Sequence, residues 1–267
     1  DSSKVQDQLK GVQQLQATGG AFAAILAAGS VVTWGNPAYG GDSSEVQDQL
    51  KGVQQLQATD LAFAAILVDG SVVTWGSRVS GGDSSEVQDR LKNVQQLQAT
   101  DGAFAAILAD VSVVTWGRPD YGGDSSEVQD QLKGVQQVQA TRSAFAAILV
   151  DGSVVTWGSP AAGGDSSEVQ GQLKGVQQLQ ATERAFAAIL ADGSVVTWGE
   201  PRFGGDSSDV QDQLKSVQQI QATDGAFAAI LADGSVVTWG TSRAFAAILE
   251  PDFGGDSLVV APQFSYV

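Results

Sequence analysis

Cysteine, histidine and methionine are all missing from this chain of 267 residues. Without cysteine there are no disulfides and no thiolate metal sites, and the compartment is left open. With histidine also missing, the usual general base, thiol nucleophile and transition-metal ligands are gone. Without methionine the chain has no initiator, so we expect a processed product, a piece of a larger polypeptide or an artificially assembled chain. Long hydrophobic runs are missing too. The longest, residues 21–28 and their equivalents, fall far short of the roughly 20 that span a bilayer, so no membrane-spanning segment is expected. No targeting segment is visible. Basic residues are few. A net charge of −16 argues against nucleic acid and anionic membrane as partners and allows a basic protein. The same charge also serves to keep a repeat protein soluble.

What is present is a repeat. Tryptophan falls at Trp34, Trp75, Trp116, Trp157, Trp198 and Trp239, always 41 residues apart. A fixed period of this size marks a repeat array or propeller. One such unit is too small to bury a core alone, so the units must stack into one body. We read a single domain over 1–267. Its full repeats are 1–41, 42–82, 83–123, 124–164, 165–205 and 206–246, with a partial repeat at 241–267.

Within the second unit, residues 62–67 are apolar on both faces, as in a strand buried on both sides. Asp69-Gly70 follows, then the β-branched run that ends at Trp75. Asp-Gly between two apolar runs predicts a hairpin with a type I′ turn. The third unit carries Asp110-Val111 there. Valine at positive φ is costly, so that hairpin is expected to be strained or to use another turn. The opening residues 42–52 fit two readings. Asp42, Glu45, Val46, Leu50 and Gly52 suit a short capped helix; a strand or irregular connector suits the β character of the remaining unit, and is preferred.

The pattern Leu-Lys-x-Val-x-x-Leu, then Ala-Ile-Leu-x-Asp-Gly-Ser-Val-Val-Thr-Trp-Gly, resembles the repeat of the regulator of chromosome condensation family. The likeness covers all six full repeats. It implies an all-β fold, a seven-bladed β-propeller with a degenerate last blade. The short period is similar to the compact version in a secreted bacterial β-lactamase inhibitor protein. The sequence departs from the family at Thr59 and Ala62 and their equivalents, where the family usually has Gly and His. The loop after Trp-Gly is also shorter. After Gly240 the register breaks: residues 244–249 repeat the buried strand out of turn, and 250–256 copy an inter-repeat loop. The alternative is six blades with an irregular tail.

Differences between repeats concentrate at two places. One is the pair after Ala-Thr: Gly19-Gly20, Asp60-Leu61, Asp101-Gly102, Arg142-Ser143, Glu183-Arg184 and Asp224-Gly225. The other is the four residues after Trp-Gly, such as 36–39 and 118–121. Strand parity puts both on one face, with the Asp-Gly and Lys-Gly turns on the other. Every arginine except Arg90 lies in these segments or the tail's copy of them; every lysine except Lys4 lies at the opposite turns. Arginine with aromatic residues is the composition of interface hot spots. The candidate partner-binding residues are therefore Tyr39, Arg78, Arg118, Tyr121, Arg142, Arg184, Arg202 and Phe203.

Serine, aspartate and lysine recur identically in the repeats, as structural residues do. Gly-Gly-Asp-Ser-Ser lacks the spaced acids of a calcium loop, and no phosphate-binding loop is present. No catalytic residue, cofactor or metal is expected. The expected function is a non-enzymatic propeller that binds a protein, as scaffold, inhibitor or subunit of a multi-protein complex. Family resemblance alone implies guanine nucleotide exchange on a small GTPase. A structural repeat without a ligand is the third reading.

Overall fold

The computed structural model describes residues 2–241. They form a β-propeller of six three-stranded antiparallel sheets, each made by one repeat. The expected seventh blade at 241–267 lies outside the described residues but for Thr241.

In the second blade the strands are Val53–Ala58, Ala62–Leu67 and Val72–Gly76. Phe63 stands opposite Trp75 in the register, and their rings stack at 5.3 Å and 22°. First strands of consecutive blades approach one another, so they line the axis. The middle strand is buried on both faces, as its composition requires. Ala21, Ala23, Ile25 and Val31 of the first blade pack on Val53, Leu56, Phe63, Val73 and Trp75 of the second. The same pairing recurs at each of the next four junctions. Small alanines let the sheets approach while Phe and Trp fill the volume between them.

The tryptophan also fastens blade to blade. The indole N–H of Trp75 donates to the Gly40 carbonyl at 3.0 Å, and Trp116, Trp157, Trp198 and Trp239 do the same one repeat on. Gly40 must be glycine on two counts. Its φ is 85°, and a Cβ there would lie 2.7 Å from the Phe63 ring.

The hairpin is not the expected type I′ turn. Leu67 N–H donates to the Ser71 carbonyl, Gly70 N–H donates to the Leu67 carbonyl, and Gly70 has φ 75° while Asp69 does not adopt positive φ. This is a three-residue loop, a type I turn closed by one left-handed residue. The aspartate decides it. Asp69 Oδ1 accepts from the Ser71 backbone N–H at 3.0 Å and its hydroxyl at 2.6 Å, bonds that bridge two residues along the chain. Val111 takes the glycine's place with φ 61° and keeps the same hydrogen bonds, so the third hairpin is the strained one.

The opening of each unit is an irregular connector of turns, neither strand nor α-helix; in the last, Gln211–Gln213 forms a 3-10 turn. Its side chains do the work of a fourth strand. Gln88 donates from Nε2 to the Val72 carbonyl on the edge of the third strand at 3.0 Å, and Ser84 links Gln88 to Thr74. Leu91 plugs into the core below.

Candidate interaction face

Thr59 explains one departure from the resembled repeat. Its hydroxyl accepts from the Ala62 N–H and donates to the Ser80 carbonyl, both at 3.0 Å. One side chain thus joins the pair after Ala-Thr to the loop after Trp-Gly. Thr100, Thr141 and Thr182 repeat the bridge to Tyr121, Ala162 and Phe203. The first loop residue adds a second tie: Ser77 N–H donates to Leu61 C=O at 2.9 Å. Both variable segments of a blade therefore meet on one face. The hairpin turn and the lysine-bearing turn meet elsewhere, where Val53 N–H donates to the Gly29 carbonyl of the preceding hairpin.

The first residues of the pairs form an arc around the axis. Gly19 N–H donates to Asp60 C=O, Asp60 to Asp101, Asp101 to Arg142, Arg142 to Glu183 and Glu183 to Asp224, at 2.8–3.0 Å. Acidic side chains are thereby gathered at the centre with one arginine among them. Arg142 pairs with Asp101 across the blade boundary. Burial raises the Asp101 carboxyl above its ordinary value, the neighbouring Asp60 charge adds to this, and the hydrogen bond from Arg142 opposes both. The bond to Asp101 raises Arg142 in turn. Reading arginines and aromatics as the signal passed over these acids; their shared position in the pair was the clue.

The remaining candidates lie further out in the loops and are largely engaged within the chain. Arg78 is exposed and paired with Asp83. Arg118 lies 4.3 Å over the Tyr121 ring and Arg184 5.4 Å over Phe203. Arg202 is exposed and forms no ion pair among the described residues. Tyr39, Tyr121 and Phe203 are half-buried and pack on the junctions between blades, so part of their enrichment is packing. Val79 stands out in the second loop, 69% exposed.

In four of the first five blades the two segments are matched in size, while in the fifth Arg184 lies over Phe203. A Cβ on Gly20 would lie 3.0 Å from the Tyr39 ring, and one on Gly102 2.9 Å from Tyr121. Where the pair carries Leu61 or Ser143 instead of glycine, the loop carries Ser80 or Ala162 in place of tyrosine. Among the described residues no cluster of acids could hold a metal ion, and no helix is long and apolar enough to cross a membrane.

No family model and no curated protein matches the sequence. Solved structures match it in fold. Yeast RCC1 (Prp20) bound to Kap60 superposes with a TM-score of 0.56 at 18% identity, over 94% of this chain and 74% of that one. Prp20p from Saccharomyces cerevisiae, described with its binding to Gsp1p and histones, gives 0.55 at 17%, over 94% and 76%. Human WBSCR16 gives 0.53 at 15%, over 86% and 76%. The fold is thus an RCC1-like β-propeller of tandem repeats.

Proposed function

We propose that this propeller is a non-enzymatic binding module and that its variable face receives a protein partner. The observation that carries the reading is the convergence of both variable segments of each of the first five blades on one side of a repeated frame. The face has an acidic centre within a rim of arginines, aromatic rings and Val79. A partner that complements it presents basic residues to the axis and apolar or acidic ones to the rim. Nucleic acid is disfavoured by the net charge of −16.

Affinity capture tests this with three forms of the full chain. One is unchanged. The second carries Arg118→Glu, Arg184→Glu and Arg202→Glu. The third carries Lys51→Glu and Lys133→Glu on the opposite turns. Partners retained by the first and third and lost by the second support the reading. Equal capture by all three rejects the face; no specific capture by any favours a structural repeat without a ligand. A second reading, exchange on a small GTPase, draws on the fold shared with Prp20p and its binding to Gsp1p. Accelerated release of a labelled guanine nucleotide from a small GTPase would select it.

A further inference from the structure

The face opposite the variable loops carries differences of its own, and they gather on three consecutive blades. Val68 and Val150 follow the middle strand in the second and fourth blades, where the other four have alanine. They are 69% and 64% exposed. Between them, in the third blade, stands Val111, 42% exposed and held at φ 61° in place of glycine. Arg90 and Asn93 belong to the same blade, where the other repeats have glutamine and then glycine or serine. An exposed valine at positive φ strains the fold and buries little in return. A backbone outlier of this kind points to a use outside the fold itself.

The backbone sets these residues along one line. Val68 N–H donates to Gly52 C=O, Val94 to Gly70, Ala109 to Asn93, Val135 to Val111 and Val150 to Gly134, at 2.8–2.9 Å. Lysine-bearing turns and hairpins therefore alternate along the arc. Their exposed charges alternate with them, in the order Lys51, Asp69, Lys92, Asp110, Lys133, Asp151. We propose that this arc is the contact surface of a twofold dimer, its occupant a second copy of the chain. In a twofold contact one patch complements itself. An axis between Lys92 and Asp110, at the middle of the arc, meets that condition. It sets Lys92 opposite the second copy's Asp110, Lys51 opposite its Asp151 and Lys133 opposite its Asp69. Opposite signs at each facing place fix the register. The same axis sets Val68, which leans over Gly52, against the second copy's Val150, which leans over Gly134. Val111 lies beside the axis, so three valines from each copy form the apolar centre. The variable face stays free for the partner proposed above.

Sedimentation equilibrium of the full chain in about 0.15 M salt, where charges are screened beyond about 8 Å, should give twice the chain mass of 27.5 kDa. Val68→Ala, Val111→Gly and Val150→Ala together install residues that other blades already carry at those places, so the fold is kept. The dimer should then weaken about tenfold or more. A chain that stays monomeric at about 0.1 mM would overturn the proposal, as would a dimer that the three replacements leave unchanged. A monomer that captures a different protein through these valines would overturn it too. Because the chain has no cysteine, Val68→Cys with Val150→Cys reports the register without background. The two positions stand two blades apart, about 20 Å at the spacing of packed sheets, too far for a disulfide within one chain. Oxidation should therefore give a disulfide-linked dimer on a non-reducing gel. Val68→Cys with Lys215→Cys should give about tenfold less. Thiols left free in both variants would also overturn the twofold contact.

Discussion

Val111 holds a left-handed backbone, φ 61°, at the place where the other five hairpins use glycine. A β-branched residue there is strained by about 1–3 kcal/mol, and glycine's greater unfolded freedom returns part of that. Val111→Gly should therefore stabilise by about 1 kcal/mol and raise Tm by about 2–4 °C, read by calorimetry. The strain was legible in the sequence because one unit broke the pattern of five. The matching of Gly102 to Tyr121 was less visible, since it joins residues 19 apart along the chain. Gly102→Leu should lose about 1–3 kcal/mol by overpacking. Adding Tyr121→Ser recreates the Leu61 and Ser80 combination and should recover most of it. A double-mutant cycle in denaturant measures the coupling, and additive losses would reject size matching.

At the scale of the element, the buried middle strand and the Trp-bearing strand followed from composition and period. The turn type did not. Apolar flanks and Asp-Gly suit several hairpins, and hydrogen bonds from Ser71 to the Asp69 carboxylate select the three-residue loop. Nor did the sequence reveal that Gln88 closes a strand edge with its side chain, since glutamine there reads as an ordinary exposed polar residue. The repeated tryptophan is a blade-to-blade fastener. Trp116→Phe keeps most of the stacking on Phe104 but leaves the buried Gly81 carbonyl without its donor. The expected cost is about 1–3 kcal/mol in urea unfolding, and a change below a few tenths would show that stacking alone holds the junction.

For the whole molecule, charge is the main lever. With a net charge of −16, self-repulsion opposes the compact state and salt screens it. Tm should rise when sodium chloride is raised from 10 mM to about 0.5 M. Acid acts in two directions. Hydrogen bonds from Ser71 and its equivalents hold Asp69, Asp110, Asp151, Asp192 and Asp233 below the usual carboxylate range. Asp83 is lowered to about 2, mainly by the Ser85 backbone N–H. Groups with depressed values favour the fold above about pH 4. That contribution is lost as pH falls toward 2. Asp101, raised chiefly by burial, works the other way, because its ionisation opposes folding. The depressed group is larger, so stability should fall between about pH 4 and 2, followed by tryptophan fluorescence. Asp83→Asn should flatten the steepest part of that fall.

The threonine bridge has a consequence for how the face can change. Thr59 ties residues 60–61 to 77–80 within one blade, and the residues between them are the repeated frame. Each blade therefore carries its own matched pair of loops as a cassette. Exchanging 101–121 for 60–80 moves a complete surface patch without disturbing the hairpin that carries it. A face assembled from such cassettes, five of them among the described residues, is a combinatorial one, rewritten one position at a time. Among the described residues the Arg142–Asp101 ion pair crosses a blade boundary, so those two neighbours are exchanged together.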